Sequence, residues 1–237
     1  MPASKSVSPL RPPILERVAR ALRRLLGGGK RAEPIRDAAA LRRFLNTRAS
    51  YVAQTTLYGY LRTRAGVRFP ELFDDDAFVA STNIAKWHIW LACMSDLAVY
   101  AGGMMRRNSR ASEADVGRLM RRLVNEILAE TGTPGEAGPE FAGHAGRVRA
   151  RVALCDWSAQ ADGDAPFVES PAALVYWAPI VEDLKSLDEE IVRNSVRFRW
   201  NEIRQQLRQT LDAASIVEAA DGVERAGEEI ERTAPRA

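Results

Sequence analysis

Apolar side chains recur every three or four residues along most of this chain, which is the period of an α-helix. No segment alternates apolar and polar residues over more than a few positions, as a solvent-facing β-strand would. The clearest apolar stripe steps by three or four residues through Val192, Val196, Trp200, Ile203, Leu207 and Leu211. The pattern predicts an all-α protein, folded as a multi-helix bundle.

Capping residues and glycines predict where the helices begin and end. Asp37 is placed to cap a helix that runs to about residue 64 and is closed by Gly66. Ser112 and Asp115 give the capping-box pattern of a helix that is closed by Gly132. These helices belong to a bundle that we place at residues 35–212. Further helices are expected from Ser81 to about 105, from 139 or 146 to Trp157, and from Ser170 to about 211 with a break at Pro179.

Residues 87–105, WHIWLACMSDLAVYAGGMM, form an apolar run long enough to span a bilayer. His88 and Asp96 interrupt this run, and a carboxylate at the centre of a membrane span costs about 2.5–3.5 kcal/mol. Aromatic and small residues lie all round the predicted helix, as they do in a helix enclosed by its neighbours. We therefore expect a buried central helix rather than a transmembrane one.

A second poorly amphipathic segment lies at residues 51–61, YVAQTTLYGYL. If both helices are internal, Gln54, Tyr58, His88 and Asp96 are buried polar groups that need partners. One interpretation is a pocket for an amphipathic ligand such as a lipid or a quinone. The other, which we favour, is that these groups satisfy one another or the helix backbone and fix the packing.

A separate amphipathic helix is predicted at residues 14–26, ILERVARALRRLL, after residues 1–12, which we expect to be disordered. When these residues are projected on a helical wheel at 100° per residue, the apolar ones occupy an arc of about 160°. The polar ones, which are mostly arginine, lie on the opposite face. This distribution is typical of a helix that lies on an anionic membrane surface. The residues expected to contact the membrane are Ile14, Leu15, Arg17, Val18, Arg20, Leu22, Arg23, Arg24, Leu25 and Leu26.

Three other roles for this basic helix stay open. It can bind an acidic groove on a partner protein, pack on its own bundle, or serve as an organelle presequence. Three glycines at residues 27–29 follow it and form a tether, so residues 13–33 comprise a basic helix and a Gly-rich linker. Such a tether lets the helix move independently, which argues against packing on the bundle.

Charge is divided unevenly along the chain, although the net charge is only +3. Residues 1–68 carry fifteen Lys and Arg against three acidic residues, a net charge of +12, which leaves −9 for the remainder. From Asp212 onwards seven acidic residues face three arginines, so residues 213–237 form an acidic tail. A basic front and an acidic tail favour contact with an anionic surface at one end. The excess of arginine over lysine, with many alanines, suggests a GC-rich bacterial gene.

No catalytic, metal or cofactor motif is present in the sequence. Glu140 lies four residues before His144, which is not the Glu-x-x-His spacing of di-iron bundles. There is no Gly-x-Ser-x-Gly elbow, no Ser-x-x-Lys set and no phosphate-binding Gly-x-x-x-x-Gly-Lys loop. Cys93 and Cys155 lie in apolar runs, which indicates buried thiols in a reducing compartment. We expect no catalytic residue, metal or cofactor, and favour a protein that is not an enzyme.

Residues 40–105, with the segments YVAQTTLYGYLRTRAG, FPELF and AKWHIWLACMSDLAVYAGG, resemble a group of uncharacterised helical proteins of alphaproteobacteria. Some members of that group carry an automatic esterase label. The resemblance implies a bacterial protein on the cytoplasmic side of the membrane. It brings no catalytic residue, and the missing nucleophile elbow argues against esterase activity.

One edge of the last predicted helix is rich in arginine and is a candidate docking surface. Arginine suits phosphate as well as carboxylate, but acidic residues share this helix and no recognised nucleic-acid-binding motif is present. A protein partner is therefore favoured over nucleic acid. The expected partner-binding residues are Arg193, Arg197, Arg204 and Arg208.

These features predict a non-enzymatic accessory, scaffold or assembly protein, attached peripherally to the cytoplasmic face of a bacterial inner membrane. Its expected partners are the anionic membrane surface and a protein or membrane complex. The first alternative is a lipid- or quinone-binding protein, or an esterase-like enzyme, that uses the polar core residues. The second is a nucleic-acid-binding helical protein, and assembly into a homo-oligomer is left open.

Overall fold

The computed structural model describes residues 33–219, and within that range the chain folds into six complete α-helices and has no β-strand. The basic helix predicted at residues 14–26, its tether and most of the acidic tail lie outside the described residues. Two 3-10 turns, Gly66–Arg68 and Pro70–Asp74, join the first two helices, and residues 213–219 are again helical. The prediction of an all-α bundle is confirmed. The helices are α1 (Ala38–Ala65), α2 (Asp76–Asn108), α3 (Glu113–Thr131), α4 (Phe141–Ala153), α5 (Glu169–Trp177) and α6 (Glu182–Thr210).

The predicted caps set the ends of α1 and α3. The carboxylate of Asp37 accepts a hydrogen bond of 2.6 Å from a backbone N–H in the first turn of α1, and Gly66 ends that helix with a φ of 56°. Ser112 and Asp115 form the expected capping box of α3. That helix ends at Gly132, whose φ of 64° is one that glycine adopts without strain.

α2 is the central helix of the bundle and packs against α1, α3, α4 and α5. Every residue from His88 to Met105 is buried, which confirms the prediction of an enclosed helix. α2 begins earlier than the predicted Ser81 cap, because the carboxylate of Asp75 accepts a hydrogen bond of 2.8 Å from the backbone N–H two residues on. No helix within residues 33–219 is long and apolar enough to cross a membrane.

α6 packs against α1 and α5 through the predicted apolar stripe, of which all but the last residue is buried. Leu211 follows the end of the helix and is only partly buried. Its backbone forms an isolated parallel bridge with Ile35. In this bridge Ile35 donates to the Thr210 carbonyl at 2.8 Å, and Asp212 donates to the Ile35 carbonyl at 3.0 Å. The start of the bundle is thereby tied to the end of α6.

α4 ends at Ala153, short of the predicted end at Trp157. The indole of Trp157 is buried beside two glycines, Gly102 of α2 and Gly117 of α3, and a Cβ at Gly102 would overlap the ring. The backbone N–H of Trp157 donates to the carboxylate of Glu113 at 2.8 Å. The tryptophan therefore fills a gap between neighbouring helices instead of extending its own helix.

The two cysteines differ in their surroundings. Cys93 is buried in α2, as predicted, whereas Cys155 lies in the turn after α4 and is only partly buried. Burial raises the pKa of the Cys93 thiol and raises that of Cys155 to about 11. Both side chains are therefore protonated thiols at neutral pH.

Candidate functional site

A groove of about 620 Å³ lies between α2, α4 and α5. Aliphatic side chains and alanines from all three helices give it apolar walls, and two histidines, two aromatic rings and three charged residues complete the lining. This mixture is typical of a small-molecule site. The lining residues are His88, Leu91, Ala92, Glu140, His144, Arg147, Val148, Glu169, Ala172, Ala173, Tyr176 and Trp177.

Two of these residues, His88 and His144, form a hydrogen bond between their Nδ1 atoms. The Nε2 atom of His88 lies 3.1 Å from the carbonyl oxygen of Ala137. Because a carbonyl oxygen only accepts, Nε2 of His88 carries a proton, and Nδ1 of the neutral ring is an acceptor. His144 therefore donates its Nδ1–H to His88.

The Nε2 atom of His144 is the free acceptor of this pair. A neutral imidazole that carries its proton on Nδ1 has an unprotonated Nε2. Among residues 33–219 the one hydrogen bond of the His144 ring is that to His88. Since His144 lines the groove, its Nε2 atom can accept a hydrogen bond or a proton from a bound molecule. His88 acts through His144 and is a positioning residue.

Aromatic rings hold the histidine pair in place. The indole of Trp177 stacks on the ring of His88, with 3.8 Å between centroids and 8° between planes. The same indole meets His144 edge-on at 5.4 Å, and Phe141 lies edge-on to His88 at 6.4 Å. Burial lowers the pKa of His88, although its hydrogen bond to the Ala137 carbonyl opposes this. His88 is therefore neutral at physiological pH.

Three charged side chains share the groove with the histidines. Glu140 and Arg147 lie about one turn before and after His144, and Glu169 lies in the first turn of α5. The groove thus offers a cation and two carboxylates beside the imidazole acceptor. Its lining includes no serine, threonine or cysteine, so it has no nucleophile of those types for acyl transfer. Residues 33–219 contain no group of three or more His, Cys, Asp or Glu that could hold a metal ion.

Asp96 lies two turns further along α2, in a buried network at the start of α5. Its carboxylate accepts hydrogen bonds from the guanidinium of Arg151 at 2.7 Å and from the hydroxyl of Ser170 at 2.6 Å. It also accepts from the backbone N–H groups of Glu169 and Ser170, at 3.1 and 2.8 Å. Burial raises the pKa of Asp96, and the charge of Arg151 opposes that rise. The network caps α5 and joins it to α2 and α4.

Only one of the four polar core residues predicted from the sequence, His88, lines the groove. Asp96 is fully buried in its own network. Gln54 and Tyr58 are half-buried on α1, where the ring of Tyr58 lies 6.4 Å from that of Phe73. The structure therefore does not bring the four residues into one site.

The sequence did not predict which residues pair with the buried His88 and Asp96. Their partners are His144 and Arg151, respectively. His88 and Asp96 lie eight residues apart on α2, and His144 and Arg151 lie seven apart on α4. Both spacings are close to two helical turns, so two helices that run side by side in the same direction bring the pairs into register. These matching spacings were the signal in the sequence. Trp177 gave no comparable signal.

The arginines predicted to bind a partner make contacts within the chain. Arg208 forms a bidentate ion pair with Asp162, with N–O distances of 2.7 and 2.9 Å. That the four arginines of α6 bind a partner stays a prediction. Arg193, Arg197 and Arg204 contact residues of the preceding turn of α6, namely Glu189 at 2.7 Å, Asn194 at 3.2 Å and Asn201 at 3.3 Å.

The chain matches no protein-family model, no curated protein and no solved structure. The groove and its oriented histidine pair are therefore the features of residues 33–219 that indicate a function most directly. What they indicate follows from their chemistry alone.

Proposed function

We propose that this protein binds a small amphipathic molecule in the groove between α2, α4 and α5. The molecule carries a hydroxyl group that donates a hydrogen bond to Nε2 of His144. The observation that supports this proposal is the contact of His144 with His88, whose Nε2 is held at 3.1 Å from the Ala137 carbonyl. That contact directs the unprotonated nitrogen of His144 away from its partner.

The size and lining of the groove also fit such a ligand. A volume of about 620 Å³ lies within the roughly 300–1,000 Å³ of small-molecule sites. Leu91, Val148 and Ala173 supply apolar contacts, and Tyr176 and Trp177 supply aromatic surfaces for a ring. A hydroxylated ring with an apolar substituent, as in a quinol, satisfies both the apolar walls and the imidazole acceptor.

The binding proposal is tested with a matched pair of ligands. A short-chain benzoquinol and its dimethyl ether have the same ring and the same side chain. They differ in that both hydroxyl groups are methylated in the ether, so only the quinol donates a hydrogen bond. We expect the quinol to shift the NMR signals of His144 and Trp177, and to bind about tenfold more tightly than the ether. If neither compound shifts these signals, or if the ether binds as tightly, the proposal is wrong.

Two tryptophan substitutions locate the binding site. Ala173→Trp fills the groove and is expected to abolish quinol binding. Ala142→Trp adds the same ring to an exposed position of α4 that does not line the groove, and is expected to leave the affinity unchanged. Equal affinities of the two variants would place the ligand elsewhere.

A second candidate function, attachment to a membrane surface, is supported by the sequence of residues 14–26. Their division into an apolar face and an arginine-rich face favours contact with anionic lipid. The bundle would then serve as an accessory or scaffold at the cytoplasmic face of a bacterial inner membrane and bind a protein partner.

Sedimentation with vesicles tests the membrane attachment. The full chain is expected to sediment with vesicles that contain phosphatidylglycerol and to remain in solution with neutral phosphatidylcholine vesicles. A chain without residues 1–30 is expected to lose this binding. Unchanged sedimentation of the shortened chain would contradict the attachment.

A further inference from the structure

Three large apolar side chains on the outer face of α6 are exposed to solvent. Leu187, Ile191 and Phe198 are 77%, 72% and 74% exposed. At about 100° per residue they fall within an arc of about 40° on the helix, so they form one stripe. This outer stripe is distinct from the buried stripe through which α6 packs on α1 and α5. Neighbouring exposed apolar residues of this size indicate an interaction surface.

The charges of α6 change sign at the middle of this outer stripe. Residues 182–191 contain five acidic residues and one lysine, whereas residues 193–210 contain five arginines and one glutamate. The midpoint between Leu187 and Phe198 falls between residues 192 and 193, where the sign changes. A second α6 that runs antiparallel therefore places its basic half beside the acidic half of the first.

We infer that the outer stripe of α6 binds a second copy of this chain, as an antiparallel α6–α6 pair with two-fold symmetry. A two-fold contact uses the same patch on both copies, so the patch must be complementary to itself. The outer stripe meets this condition, because its apolar residues are centred on the point where the charge reverses. This pairing goes beyond the proposed ligand binding and does not depend on it.

The symmetry specifies which residues meet. Leu187 lies opposite the second copy's Phe198, and Phe198 lies opposite the second copy's Leu187. On one flank of the stripe, Glu190 comes within reach of the second copy's Arg197. The symmetry repeats this contact between Arg197 and the second copy's Glu190. Both residues are exposed in the single chain. In an antiparallel pair like this, oppositely charged residues that flank an apolar seam fix register and orientation.

A second groove adjoins the outer stripe and provides space for the phenyl ring of the second copy's Phe198. It has a volume of about 410 Å³, lies between α1 and α6, and has Ile191 in its wall together with Gly59, Thr63 and Asp188. Gly59 has no heavy atom within 4 Å of the position of a Cβ, so the groove is open at that point. In the antiparallel pair this ring lies opposite Leu187, next to Asp188 in the wall of the groove.

Sedimentation equilibrium of the full chain, from about 1 to about 100 μM, tests the pairing. We expect a monomer–dimer equilibrium. Phe198→Asp is expected to raise the dimer dissociation constant at least about tenfold. Leu154→Asp is the matched control, because Leu154 is 85% exposed but lies outside α6, and it is expected to leave the dissociation constant unchanged. A full chain that stays monomeric, or equal effects of the two substitutions, would overturn the inference.

A charge exchange tests the orientation. Glu190→Arg and Arg197→Glu each place like charges across the interface and are expected to weaken the dimer. The double variant Glu190→Arg/Arg197→Glu restores opposite charges in both symmetric positions and is expected to regain most of the affinity. Additive losses in the double variant would exclude the antiparallel register.

A photo-crosslinking residue at position 198 identifies what covers the outer stripe. The expected product has twice the mass of the chain and joins α6 to α6. A crosslink from position 198 to residues 1–32 or 220–237 of the same chain would overturn the inference, because a terminal segment would then cover the stripe.

Discussion

The imidazole rings of His88 and His144 meet edge to face, with centroids 4.4 Å apart and planes inclined at 77°, and Nδ1 of His144 donates a hydrogen bond to Nδ1 of His88. Both histidines line the groove, but His88 is only 1% exposed, whereas His144 is half-buried. The main-chain carbonyl of Ala137 fixes the tautomer of the buried ring, and the buried ring fixes that of its neighbour. A hydrogen bond to the backbone thus determines which nitrogen is presented to a ligand.

The stability of the bundle is expected to fall in acid partly because of His88. Its pKa lies below the ordinary value of 6.5, so just below that pH the unfolded chain binds more protons than the folded one. The contribution of His88 is complete above about pH 6.5 and is lost as the pH falls towards the folded-state pKa, with a slope of at most about 1.4 kcal/mol per pH unit. Urea unfolding between about pH 5 and 7 measures this slope.

The variant His88→Gln provides the comparison for the pH effect. Glutamine keeps a donor for the Ala137 carbonyl but does not titrate. The free energy of unfolding of the His88→Gln variant is expected to depend less steeply on pH than that of the wild type. Identical slopes would contradict a buried, neutral His88.

Asp96 is expected to be the more important of the buried polar groups for folding. Asp96→Asn places an amide N–H₂ among N–H and O–H donors. It also leaves Arg151 with the partly exposed carboxylate of Glu169 in place of its buried acidic partner. A loss of about 3–5 kcal/mol in the free energy of unfolding is expected. Adding Arg151→Met to Asp96→Asn is expected to recover part of that loss, because it removes the guanidinium that has lost its buried partner.

Glu169 offers a matched control for Asp96. Its carboxylate also lies near Arg151, at 3.3 Å, but its side chain is 41% exposed. Glu169→Gln is therefore expected to cost less than about 1 kcal/mol in urea unfolding. Losses of equal size at Asp96 and Glu169 would show that burial of the carboxylate is unimportant here.

Two glycines on long helices are expected to respond oppositely to alanine. A Cβ at Gly102 overlaps the indole of Trp157, so Gly102→Ala is expected to destabilise the bundle by about 1–3 kcal/mol. Gly59 is exposed in the middle of α1 with open space around it, so Gly59→Ala is expected to stabilise by about 0.5–1 kcal/mol. Thermal unfolding measures both. A neutral Gly102→Ala variant would contradict the close packing of Trp157.

The helices were largely predictable because their signals are local. Asp37, Gly66, Ser112 and Gly132 each act on the backbone within one turn, so their effect can be read from neighbouring residues. The end of α4 was predicted wrongly because it depends on where the Trp157 indole fits between other helices. That fit involves residues distant in sequence, and no local pattern encodes it.

The candidate site was less predictable, for the same reason. His88 and Asp96 were recognised as polar residues in an apolar helix, but their partners lie 56 and 55 residues away on α4. Which polar residues meet depends on the direction and register of helix packing. The grouping of His88 with Tyr58 assumed that α1 and α2 share one polar site, whereas α4 and α5 supply the rest of the groove.

The tautomer of His144 tests the central claim most directly. Long-range ¹H–¹⁵N NMR spectra of the full chain at about pH 7.5, above the ordinary histidine pKa, distinguish a protonated from an unprotonated ring nitrogen. We predict that His88 carries its proton on Nε2 and His144 on Nδ1, and that the Nε2 signal of His144 shifts when the quinol is added. A proton on Nε2 of His144 in the free protein would contradict the account, because the groove would then present a donor instead of an acceptor.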